Sequence, residues 1–79
     1  MTTTAADTWL DSGSAFCDVD GCHQPAAIIA DTWNRERFCG NHTRDAAAIP
    51  ALDPAFRGWY RITHIRDHRL GLILTVHPI

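Results

Sequence analysis

The alternation of apolar and polar positions divides the chain into three stretches. Residues 1–15 are polar and small apart from Trp9 and Leu10. Within them Thr8-Trp9-Leu10-Asp11 reads either as a short helix or as an added edge strand. Residues 26–33 form an apolar, β-branched run, followed by Asn34-Arg35 and then Glu36-Arg37-Phe38. That is the pattern of a β-hairpin, with Asn34 expected at the turn because asparagine tolerates the left-handed region. Residues 43–48 favour a helix, with Asn41 as the expected N-cap and Pro50 as the stop. Asp53-Pro54 signals another start that Gly58 ends almost at once. Residues 59–65 and 70–76 then read as two strands joined by 66–69, since they are aromatic and β-branched and carry Gly71.

A symmetric turn in this last hairpin would set Trp59, Thr63, Ile65, Leu70, Leu72, Leu74 and Val76 on one face, with Arg61 the exception. The other face would hold Tyr60, Ile62, His64, Ile73, Thr75 and His77. Both faces then carry apolar groups, more than a two-stranded ribbon buries by itself. The second face is therefore expected to meet another copy, a partner protein or the N-terminal stretch.

Length sharpens the question of what holds the chain together. Its 79 residues amount to 8.8 kDa. In chains below ~80 residues a hydrophobic core rarely supplies more than ~3–5 kcal/mol. A hydrophobic fraction of 46% excludes a disordered tail. No apolar run approaches the ~20 residues of a membrane span. The first residues lack the basic-then-apolar order of an export signal, so a reducing, cytoplasmic setting is expected. Charge is uneven: residues 1–31 hold five Asp and no Arg, while residues 32–79 hold seven Arg against four acids.

The cysteines supply the missing staple. Cys17, Cys22 and Cys39 are an odd set in a chain without an export signal, which argues against a disulfide framework. With His42 they form the series Cys17-x₄-Cys22, sixteen residues, Cys39-x₂-His42, which has the donor types and pair spacing of a closed structural Zn²⁺ site. Asp18-Val19-Asp20-Gly21 supplies turn chemistry between the first pair. His23 competes for the fourth position, but beside Cys22 its side chain tends to point off the ion, so His42 is preferred. Structural zinc is worth an apparent ~10–16 kcal/mol in finger peptides, more than such a domain otherwise commands.

The order knuckle, hairpin, helix with the last ligand resembles a treble-clef zinc finger. The phrase Cys17-x₄-Cys22-x₂-Pro25-Ala26 … Phe38-Cys39-x₂-His42 resembles small zinc-finger proteins common in actinobacteria and their phages. The use of Arg to the exclusion of Lys, with eight of nine acids being Asp, resembles the coding bias of such high-GC genomes. The expected fold is a small α+β zinc-stabilised domain with a tail (1–15), a finger (16–50) and a C-terminal β-hairpin extension (51–79), all one compact domain. The resemblance extends the expected setting to a phage particle or an infected host cell.

Catalysis is not expected. Four protein ligands leave no open zinc position for water. The zinc-deaminase signature and the metalloprotease His-Glu-x-x-His are absent, and His64 and His68 lie on a strand and turn. The treble-clef endonucleases use a separate histidine pair and an Asn, whereas here Asn41 stands beside a histidine already given to zinc. The expected function is a non-catalytic interaction module for a protein partner or a second copy, either host-directed or a structural component of a larger particle. Trp9 and Trp59 are its candidate anchors, with Tyr60, Arg61, Arg66 and Arg69 around them. The alternative is a nucleic-acid-binding finger using Arg57, Arg61, Arg66 and Arg69 with Trp59 and Tyr60. Against it stand a net charge of −2 and a pI near 6.1. Those arginines would otherwise form a solvated hairpin tip paired to aspartates of the first third. Neither a membrane nor a small-molecule substrate is expected.

Overall fold

The computed structural model describes residues 6–79. Five strands make one sheet: β1 (Asp7–Asp11), β2 (Ile28–Ala30), β3 (Glu36–Phe38), β4 (Trp59–His68) and β5 (Gly71–Pro78). Their order is β1-β5-β4-β2-β3, and every neighbouring pair is antiparallel. A 3₁₀ turn (Gly40–His42) and two single-turn helices, α1 (Thr43–Ala46) and α2 (Ile49–Leu52), follow β3. The molecule is thus a small α+β fold dominated by its antiparallel sheet.

The Thr8–Asp11 stretch takes the edge-strand alternative, with Trp9 opposite Leu74 and Leu10 opposite Ile73. The finger hairpin forms as β2 and β3, but the left-handed residue at its tip is Arg35 (φ 50°), not Asn34. Arg35 is held there by its side chain, which lies 4.2 Å over the Trp9 ring and pairs with Asp11. The expected helix over 43–48 is instead two short turns. Asn41 lies inside the 3₁₀ turn, which Cys39 precedes, so His42 occupies the cap position of α1, and Pro50 sits in the first turn of α2, where a missing N–H costs nothing.

The C-terminal hairpin corrects the expected register. β4 runs on to His68, so Arg69 and Leu70 alone form the turn, and Ile65 faces Leu74 rather than Leu70. A β-bulge then inserts Thr63 between the Ile62–Val76 and His64–Thr75 pairs. Because side chains alternate along a strand, one extra residue exchanges the faces beyond it. Tyr60 and Ile62 thereby join Ile65, Leu72, Leu74 and Val76 on one face, while Trp59 and Arg61 join His64, Arg66 and His68 on the other. The two apolar faces read from strict alternation become a single apolar face and a basic one.

The apolar face is covered by curling. Ile29, Leu74 and Val76 are fully buried there, with Trp9, Tyr60, Ile62, Ile65 and Leu72 packed around them. Flat, a five-stranded sheet would hold its edges ~19 Å apart at ~4.8 Å per strand. Yet Arg37 on β3 forms an ion pair with Asp11 on β1, and Arg35 reaches the same carboxylate at 3.2 Å. The edges are therefore clasped across the mouth of the curl. Gly71 lets the end of β1 lie close against the start of β5: its φ is +139°, and a Cβ there would collide with the Asp11 carbonyl.

Candidate metal centre

Two local structures deliver the ligands. In the knuckle, Cys17 N–H donates to the Gln24 carbonyl and Cys22 N–H to the Val19 carbonyl, both at 2.9 Å, while Gly21 takes φ +77° at the turn. This reverses the chain tightly enough to aim both sulfurs inward. At the end of β3, Cys39 turns directly into the 3₁₀ segment, whose His42 N–H donates to the Cys39 carbonyl at 3.1 Å. The knuckle is tied to the sheet by Asp18, whose N–H donates to the Arg37 carbonyl at 2.9 Å and whose carboxylate accepts from Arg37 N–H at 2.7 Å.

The four side chains meet. One donor atom each from Cys17, Cys22, Cys39 and His42 lies within 4.8 Å of the others. With Zn–S of about 2.3 Å and Zn–N of about 2.0–2.1 Å, a tetrahedron requires S···S near ~3.8 Å and S···N near ~3.5 Å. The Cys22–Cys39 sulfurs are 3.8 Å apart, the Cys17 sulfur is 3.5 Å from His42 Nδ1, and the Cys39 sulfur is 3.2 Å from the same nitrogen. The geometry and donor set fit a tetrahedral zinc ion held through His42 Nδ1. His23 does not belong to the cluster.

The electrostatics point the same way. Burial opposes ionisation of Cys17, but the amides of Val19 and Cys39 and the side chains of His42 and Cys22 outweigh it and hold the thiol at about 7. At Cys22 the amide of Gln24 favours the thiolate, yet desolvation and the neighbouring sulfurs of Cys17 and Cys39 push it up overall. Three thiols this close penalise one another's ionisation, and a divalent cation relieves that penalty. Cys17 and Cys39 are buried, whereas Cys22 and His42 line an open groove of about 440 Å³ that gives access to the site.

The remaining candidate residues are dispersed. Trp9 and Tyr60 meet edge-on inside the curl, ring centroids 4.7 Å apart. Trp59 lies on the opposite face of the sheet, 5.0 Å from Phe56. Arg57, Arg61, Arg66 and Arg69 are exposed. Sequence reasoning passed over Trp33, at 86% the most exposed large apolar side chain among the described residues, and over the Asp11–Arg37 pair. A tryptophan placed next to a hairpin turn was the available signal for the first; the second joins residues too far apart in the chain to leave one. No helix among the described residues is long and apolar enough to cross a membrane. Compared with family models, with curated proteins and with solved structures, the chain matches none.

Proposed function

We propose that the protein is a non-catalytic, zinc-stabilised binding module whose finger is of treble-clef type and whose metal is structural. The observation that carries this reading is the donor set: three cysteine sulfurs and one imidazole nitrogen converge at distances that fit a tetrahedral zinc, which would leave no ligand position for substrate or water. With the metal committed to structure, contact with a partner falls to the surface of the sheet and its loops. A protein partner is supported by exposed apolar groups, above all Trp33 at the β2–β3 tip, with Leu10 and Leu70 also exposed. A nucleic-acid partner is supported by the exposed arginines of β4.

Metal analysis of the purified chain should give one zinc per molecule, and a strong chelator should abolish the near-UV signal and much of the far-UV signal. If both spectra survive complete removal of the metal, the structural role is wrong.

A further inference from the structure

Two unpartnered positive charges, Arg61 and Arg66, stand on the outer face of the sheet. Arg61, His64, Arg66 and His68 follow one another there along β4, because the bulge at Thr63 brings Arg61 into line with the other three. Arg61 and Arg66 are exposed, and neither forms an ion pair among the described residues. Both aspartates of the N-terminal strand stand at inner-face positions, Asp7 opposite Val76 and Asp11 opposite Leu72, and Asp11 is taken by Arg35 and Arg37. The neighbours of this stripe across β5 are His77, Thr75 and Ile73, none of them acidic. Glu36 shares the outer face, but two strands away on β3. The exposed acid of β4, Asp67, is opposite Leu72 and so projects from the other face, and the net charge of −2 is therefore no measure of this one.

Beyond Arg61 the stripe runs into an apolar groove. Trp59 and Ile28 on the sheet face Thr43, Ala46 and Ala47 of the helical segment across a gap of about 240 Å³, with room for a single planar base. Ile28 stands directly opposite Arg61 in the register, so the groove and the guanidinium adjoin. From Trp59 to Arg66 the stripe extends roughly 20 Å at ~3.3 Å per strand residue.

We propose that this face binds single-stranded nucleic acid, its phosphates following Arg61 and Arg66 along β4 and one base entering the groove against Trp59. The proposal rests on the reading of the chain as a zinc-stapled binding module and names its ligand. A single strand is favoured over a duplex because the groove offers an aromatic wall that only an unpaired base can reach. The arginines supply the backbone contacts that carry affinity without reading sequence.

Fluorescence anisotropy tests it, using zinc-loaded protein and labelled oligothymidylate, oligouridylate and a duplex, each of about 20 nucleotides so as to exceed a ~4–16-nucleotide site. Both single strands should bind more tightly than the duplex, and binding should weaken between about 50 and 200 mM salt. The double variant Arg61→Ala/Arg66→Ala should bind at least about tenfold more weakly and flatten the salt slope by ~1.4, at ~0.7 per phosphate. Trp59→Ala should weaken single strands by about fivefold or more, whereas Trp59→Phe keeps an aromatic wall and most of the affinity. Metal content and far-UV spectra confirm that each variant is folded.

Equal binding of duplex and single strand, or affinity indifferent to Arg61 and Arg66, overturns the proposal. So does a protein partner captured through Trp33 by a chain that retains no oligonucleotide. A zinc-loaded chain that binds no oligonucleotide overturns this proposal alone, whereas failure to load zinc overturns the module reading as well.

Discussion

Around the metal ligands the buried side chains are mostly small: Cys17, Ala26, Cys39 and Ala46, with Phe38 the large exception. Inside the curled sheet, Ile29, Leu74 and Val76 are fully buried and five further large apolar residues close over them. Each such aliphatic side chain is worth ~1.5–3 kcal/mol when withdrawn from water. The sheet thus has the makings of a core, while the finger encloses little besides its own ligands and, on the reading proposed above, would depend on a bound metal. The two regions are joined through the β2–β3 hairpin, which serves both: Ile29 points into the sheet core and Cys39 follows β3 directly. In so short a chain, a bound metal and the core would divide the work and share one hairpin.

Removal of zinc should break this division most severely. Hydrogen exchange after chelation should show protection lost first over residues 16–50, with β4, β5 and β1 the last to open. The forfeited stabilisation is of the order of ~10–16 kcal/mol on the apparent scale of finger peptides. Simultaneous loss in both regions would show that the sheet has no independent hold. Leu74→Ala probes the other side: a cavity at a fully buried position should cost about 3–5 kcal/mol in urea melts while leaving zinc stoichiometry unchanged. Should zinc affinity fall together with stability, the two regions are one cooperative unit.

The clasp comes next in size. Asp11→Ala leaves Arg37, whose side chain is only 6% exposed, without its carboxylate and should cost about 2–3 kcal/mol. Its pH dependence has a definite sign. Burial works against the Asp11 carboxylate, but the Gly13 amide, Arg37 and Arg35 outweigh it and hold its pKa below the ordinary value. The clasp is therefore at full strength above about pH 4 and is lost as pH falls from there through the lowered folded value. Asp11→Asn should lack that part of the acid transition in wild-type melts. The smallest effect is expected at Trp33, where replacement by Ala should move stability by less than about 0.5 kcal/mol. A larger loss would show that the hairpin tip braces the fold.

The ligand set was legible because zinc imposes a local rule: two pairs of donors, each within one turn of chain, written as Cys17-x₄-Cys22 and Cys39-x₂-His42. Both hairpins were legible from runs of apolar and β-branched residues bounded by turn formers. The register of the second hairpin was not. Thr63 has no feature that marks it as the bulged residue, yet it decides the face on which Trp59, Tyr60, Arg61 and Ile62 lie. The clasp was hidden for another reason, since Asp11 and Arg37 meet only after the whole sheet has curled. Helix limits failed at Pro50, because proline ends one turn and begins another equally well.

The bond pair between Asp18 and Arg37 has a consequence for how the protein fails. A sheet's outermost strand ordinarily offers unpaired N–H and C=O groups to any passing chain. Here the backbone N–H and C=O of Arg37 that face away from β2 are both occupied by Asp18, a residue of the metal knuckle. A metal held by the knuckle would therefore guard a strand edge as well as staple the finger. Without the metal, the chain should bare β3 as a template for strand addition, and its route out of solution should run through intermolecular pairing at that edge.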